Sequence, residues 1–283
     1  MKAIVPIECL DGTVIQSTHF EPSGPAHATI LVGGATGVPQ GFYARFAQFA
    51  NERGYSVTTL DYRGVGLSAP KQLRGYEMNY LDWGRQDLAA ALAATHDTSK
   101  PSYMIGHSYG GHALGLMPNH KLVDRFCTFG TGAGWAGYMP LIERIKVGIM
   151  WNVLGPISTP FLGYMPGKAL GLGENLPIDV YRQWKRWCQS PNYFFSDPAV
   201  KDSLTDFAKV TTPIRAVNAL DDLWAGTKSR DAFFANYSVA PIDRVTLDHK
   251  VIGQPMGHMG YFRKGREALW EEALEWFEKR NFS

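Results

Sequence analysis

Short apolar runs bounded by glycine, proline or aspartate alternate along most of this chain with segments whose apolar residues recur every three to four positions. Ala28 to Val32 is a β-rich run ending in Gly33-Gly34, and Phe42, Phe46, Phe49 and Ala50 then follow at helical spacing. Ser56 to Leu60 reads as a second strand ending at Asp61, and Leu81, Leu88 and Leu92 mark a helix. Tyr103-Met104-Ile105 is a strand, Gly111 to Met117 a helix, and Arg125 to Phe129 a further strand. Ile214 to Leu220 follows Pro213 as another strand, Val245 to Leu247 is a weak last one, and Arg266 to Lys279 is an amphipathic helix. Ile4 to Ile7 and Val14 to Phe20 read as an edge hairpin turning at Asp11-Gly12. Strands alternating with helices predict an α/β fold, a mostly parallel central sheet flanked by helices. Ligands of such sheets bind beyond the C-terminal strand ends, where Gly33, Asp61, Ser108 and Asp222 would gather.

The rhythm breaks between residues 134 and 206, a stretch rich in Trp, Tyr, Pro and Gly. Pro177 starts one helix there, with Val180, Trp184, Trp187 and Cys188 on one face. The expected organisation is a core of residues 1–133 and 207–283 with an inserted, mainly helical lid at 134–206. Val147 to Gly167 carries no charged residue and is long enough to span a bilayer. Pro156, Pro160 and Pro166 argue against a continuous helix across it. It reads as a pocket-lining or lid segment, with interfacial membrane contact as the second reading and no stable membrane insertion.

Composition narrows the class. With 283 residues there is length for one large domain or two small ones, and a net charge of +2 implies no nucleic-acid partner. Cys9, Cys127 and Cys188 are too far apart for a metal site or a disulfide framework. The first residues lack the apolar core and cleavage site of a secretion signal, so the expectation is a soluble, cytoplasmic protein. A homo-oligomer is compatible with this composition, and nothing in it calls for a cofactor.

The chemistry centres on Gly106-His107-Ser108-Tyr109-Gly110. Small residues on both sides of Ser108 let the chain reverse between strand and helix, forcing the serine into a strained conformation with its oxygen above the sheet. A serine hydroxyl is a weak nucleophile until a base takes its proton, and that base needs a carboxylate to fix its tautomer. Of the eight histidines, His258 lies far downstream and is flanked by glycine at 257 and by Met259-Gly260. His107 adjoins the serine but points elsewhere and reads as structural; His249, between Asp248 and Lys250, is the rival base. Asp221-Asp222 follow the strand Ile214 to Leu220, and Asp222, deeper in the turn, is the preferred acid, with Asp221 the alternative. The oxyanion needs two backbone donors, here Tyr109 and Ala35, with Thr36 second to Ala35.

These residues together resemble the α/β-hydrolase superfamily over nearly the whole chain, and in particular its lid-bearing serine hydrolases, similar to monoglyceride lipases and enzymes termed serine aminopeptidases. Asp61-Tyr62-Arg63-Gly64-Val65-Gly66-Leu67-Ser68 resembles the D-x-R-G-x-G-x-S segment that shapes the turn beside the active site in that superfamily. Gly33-Gly34 stands where many members have His-Gly. The resemblance implies a triad in the order Ser, Asp, His, and serine at the elbow separates the chain from the dehalogenase and epoxide hydrolase branches. Gly132-Ala133-Gly134-Trp135-Ala136-Gly137 matches a dinucleotide-binding pattern, but no acidic residue occurs between Glu143 and Glu174, where one is required.

The expected function is therefore hydrolysis of carboxylic esters or thioesters through an acyl-enzyme on Ser108, with a small-molecule ester or acyl substrate. Acyl transfer from the same intermediate, or non-catalytic binding on the same fold, are the alternatives. Aromatic residues of the insertion point to an apolar acyl or aryl group, with Trp135, Tyr138, Trp184 and Met259 as candidate substrate contacts.

Overall fold

The computed structural model describes residues 1–279, so positions 280–283 of the expected core lie outside the described residues. Its strands are β1 (Lys2–Glu8), β2 (Val14–Phe20), β3 (Ala28–Gly33), β4 (Tyr55–Leu60), β5 (Ser102–His107), β6 (Arg125–Phe129), β7 (Tyr164–Met165), β8 (Leu176–Pro177), β9 (Ile214–Ala219) and β10 (Ile242–Leu247). Eight form one sheet in the order β1-β2-β4-β3-β5-β6-β9-β10, while β7 and β8 make a separate antiparallel ribbon. β2 pairs antiparallel with β1 and β4, and the remaining neighbours in the large sheet run parallel.

The period of two in each strand divides the core between the faces of this sheet. Leu31, Met104, Phe126 and Ile214 project to one side, where they join Leu92, Phe233 and Phe234 from the helices Ala89–Thr95 and Thr227–Phe234. Ile30, Val32, Ile105, Cys127 and Val217 project to the other, against Phe46 and Ala50 of Ala44–Asn51 and Trp270 and Phe277 of Glu267–Glu278. β5 is buried at every position, as a parallel strand covered on both faces must be. β10, at the sheet edge, alternates between intermediate and exposed positions, which explains its weak apolar signal.

Two helices differ from expectation. The expected helix at Gly111 to Met117 is instead a short helix, Tyr109–His112, followed by a tight turn at Leu114–Leu116. The Phe207 ring lies against Gly115, and three glycines within six residues cost the helix its propensity. The Leu81 to Leu92 pattern is a wide π turn, Trp83–Leu88, running into the α-helix Ala89–Thr95.

Residues 134–206 fall between β6 and β9 and add no strand to the large sheet. No single helix covers all of Val147 to Gly167, as expected, but Pro156 and Pro160 are not what ends it. Leu141–Ile149, the π turn Met150–Leu154 and Gly155–Leu162 follow one another without a gap, and Gly163 ends them at φ 79°. Pro156 lies in the first turn after the π register and has no N–H to donate. In that register its missing donor would have served the Trp151 carbonyl, which instead accepts from Tyr181 Oη at 3.1 Å. On the outer side Leu141, Ile145, Ile149, Val153, Ile157 and Phe161 form one ridge, each 46–76% exposed. No helix among the described residues is long and apolar enough to cross a membrane.

Candidate active site

Strand β5 delivers the serine. Ser108 has φ 51° and ψ −109°, a conformation costing a non-glycine residue about 1–3 kcal/mol. The turn is held by the Ser108 amide on the Phe129 carbonyl at 3.0 Å, and by Gly111 N and Thr131 Oγ1 donating to the Ser108 carbonyl. Two glycines make the reversal sterically feasible. A Cβ on Gly106 would lie 2.6 Å from Gly111 Cα, and one on Gly110 would run into the Gly33 carbonyl.

Two loops at neighbouring strand ends meet this serine. His258 Nε2 lies 3.0 Å from Ser108 Oγ, and its Nδ1 lies 3.0 Å from both oxygens of Asp222. A carboxylate only accepts, so Nδ1 carries the hydrogen and Nε2 presents a lone pair to the serine hydroxyl. Asp222 is fully buried and is held by Trp224 N and Ala225 N on Oδ1 and by Tyr261 Oη on Oδ2. Burial would raise its carboxyl, but the His258 charge and these hydrogen bonds outweigh burial and hold it below the usual carboxylate value. Burial would likewise lower His258, and the Asp222 carboxylate overrides it and lifts the imidazole above the usual histidine value.

The alternatives occupy other places. Asp221 Oδ2 accepts the amides of Met256 and Gly257 at 2.8 and 3.1 Å, so it grips the backbone leading to His258 rather than its ring. His249, the rival base, faces Asp221 at 3.9 Å. His107 is buried, bonded to Tyr43 Oη and to the His258 carbonyl, in keeping with a structural role.

The expected Ala35 donor needs correction. Its amide is turned away from the serine and donates to Tyr43 Oη at 2.7 Å. The Thr36 and Tyr109 amides donate to no protein acceptor among the described residues. Asp61 shapes the adjacent turn, accepting from Gln40 N at 2.7 Å and Leu67 N at 2.9 Å.

The sequence from residue 29 to 269 matches the model of the alpha/beta hydrolase family. The chain belongs to that family. Among curated proteins, an uncharacterized abhydrolase domain-containing protein of Dictyostelium discoideum is 28% identical over 266 residues, 89% of this chain. The chain spans about a quarter, 26%, of that relative's length. A soluble variant of monoglyceride lipase from Saccharomyces cerevisiae superposes with a TM-score of 0.67 at 13% identity, covering 99% of this chain and 97% of that one. Est1E from Butyrivibrio proteoclasticus, solved with ferulic acid, gives 0.63 at 19% identity, with 97% and 100% covered. At these identities the likeness to both structures is one of fold.

In this α/β hydrolase a cavity of about 590 Å³ opens onto Ser108 and His258. Its walls include Ala35, Thr36, Val38, Pro39, Phe42, Gly171 to Gly173, Trp184, Trp224 and Met259. His258 is the one titratable side chain in this lining. Trp184 and Met259 were expected there. Trp135 and Tyr138 do not line it: the Trp135 ring folds over Gly137 and packs edge-on against Tyr138 at 4.9 Å. Phe42, Trp224 and Tyr261 were missed. Trp224 was within reach, because it lies two residues after the expected acid, Asp222. Among the described residues no cluster of His, Cys, Asp or Glu is arranged to hold a metal ion.

Proposed function

We propose that this hydrolase is a serine esterase that cleaves carboxylic esters or thioesters of apolar acyl or aryl groups. Ser108 attacks the carbonyl carbon as His258 Nε2 takes the hydroxyl proton, and Asp222 keeps Nδ1–H in place and stabilises the imidazolium. The leaving alcohol or thiol receives that proton, and water repeats the sequence to free Ser108. The Tyr109 and Thr36 amides hold the tetrahedral oxyanion, a role in which each donor contributes about 3–4 kcal/mol. Residues 134–206 act as a lid, closing the cavity through Trp184 and the Gly171 to Gly173 loop.

The observation that carries this reading is the unbroken line from Asp222 through both nitrogens of His258 to Ser108 Oγ, each link at 3.0 Å. The apolar walls of the cavity support an uncharged acyl group. The test is labelling by a fluorophosphonate together with turnover of a chromogenic ester. Ser108→Ala is expected to abolish labelling and to cut kcat by about a million-fold. Near-normal turnover in that variant would refute the scheme.

A further inference from the structure

A second hydrogen-bonded line runs behind the nucleophile. The Ala35 amide lies 2.7 Å from Tyr43 Oη, Tyr43 Oη lies 2.9 Å from His107 Nδ1, and His107 Nε2 lies 2.8 Å from the His258 carbonyl oxygen. The hydrogens on this line have one consistent placement. A carbonyl only accepts, so His107 Nε2 bears the hydrogen. Burial, reinforced by neighbouring His258, depresses the His107 pKa to about 3, so the ring is neutral and Nδ1 is a lone pair. Tyr43 must then give its O–H to Nδ1 and accept from Ala35. All three residues are buried, so water offers no substitute for any of these partners.

We propose that Tyr43 and His107 are positioning residues that couple the oxyanion loop to the general base. One end of the line turns the Ala35 amide away from the serine and so leaves the next amide, Thr36, to face it. The other end fixes the backbone carbonyl of His258 and with it the approach of the imidazole to Ser108. The middle member, His107, is the residue immediately before the nucleophile. Donor, nucleophile and base are thereby held in one frame. The Tyr43 ring packs edge-on against Phe262 at 5.0 Å and Phe42 at 5.3 Å, contacts that phenylalanine would preserve. The hydroxyl is left with the line alone. This inference rests on the serine-hydrolase reading above.

The experiment is a double-mutant cycle of Tyr43→Phe and His107→Asn, read by ester hydrolysis and by the rate of fluorophosphonate labelling, with Ser108→Ala alongside. Tyr43→Phe should fold, lose roughly 10- to 100-fold in kcat with KM within about twofold, and label more slowly in proportion. The double variant should lose no more than the worse single one, because both cut the same line. Additive losses, or wild-type kcat in Tyr43→Phe, would overturn the coupling. Nitrogen NMR of imidazole-labelled wild type needs no variant. His107 should stay neutral with its hydrogen on Nε2 from pH 5 to 9, and a hydrogen on Nδ1 would overturn the inference. Activity surviving in Ser108→Ala would sink the functional reading. An inert Ser108→Ala beside an unimpaired Tyr43→Phe would sink only the coupling.

Discussion

Replacing Asp222 by asparagine should disable the base without disturbing the packing, because the two side chains have the same shape. Asp222 Oδ1 already accepts two amides, Trp224 N and Ala225 N, so the asparagine oxygen must stay there. Its NH₂ then takes the place of Oδ2, facing Tyr261 Oη and His258 Nδ1 at 3.0 Å. A donor opposite Nδ1 drives the imidazole hydrogen onto Nε2, which now points an N–H at Ser108 Oγ and cannot take its proton. The equivalent wrong tautomer in a serine protease costs about 10⁴ in kcat, or roughly 5.5 kcal/mol. The pH profile supplies an independent readout. In the proposed mechanism His258 works deprotonated, and Asp222 holds its pKa above the usual histidine value, so kcat/KM should fall as pH drops through that raised value. In Asp222→Asn the carboxylate is gone and the acid limb should move to lower pH. The assay is kcat/KM on a 4-nitrophenyl ester between pH 5 and 9, with circular dichroism to confirm folding. A loss below tenfold, or an acid limb that does not move, would refute this account of how His258 is tuned.

The remaining predictions concern the loop and the cavity. Asp221→Ala removes the acceptor of the Met256 and Gly257 amides, and should lower stability by about 1–3 kcal/mol in denaturant unfolding and depress kcat through a loosened His258; unchanged stability would show that the two bonds are dispensable. Across a panel of straight-chain esters, rates should rise from acetyl to medium-chain acyl groups and then fall. Trp184→Ala and Trp224→Ala, which remove neighbouring rings from the wall, should flatten that preference; a preference for charged or peptide substrates would contradict the apolar cavity.

What could be read in the chain was what is encoded locally. Apolar runs of strand length between glycines located the sheet, and Gly106-His107-Ser108-Tyr109-Gly110 located the elbow, because only small residues allow that reversal. His258 stood out for a related reason, its flanking glycines, and the structure brings its ring against Ser108. The choice of Asp222 over Asp221 turned on depth within the turn, and the structure puts Asp222 against the ring and Asp221 against the backbone. Other features depended on partners distant in sequence. The helix through Pro156 is continuous because Tyr181, from another helix, accommodates a carbonyl that proline leaves free. The Ala35 amide is lost to the serine because Tyr43 reaches it, and Trp135 misses the cavity because its ring folds back over Gly137. Sequence alone determined which chemical groups were present and how the backbone bends at Ser108. Tertiary structure decided which donors and acceptors face each other, since a hydrogen bond depends on direction and distance that no local pattern of residues specifies.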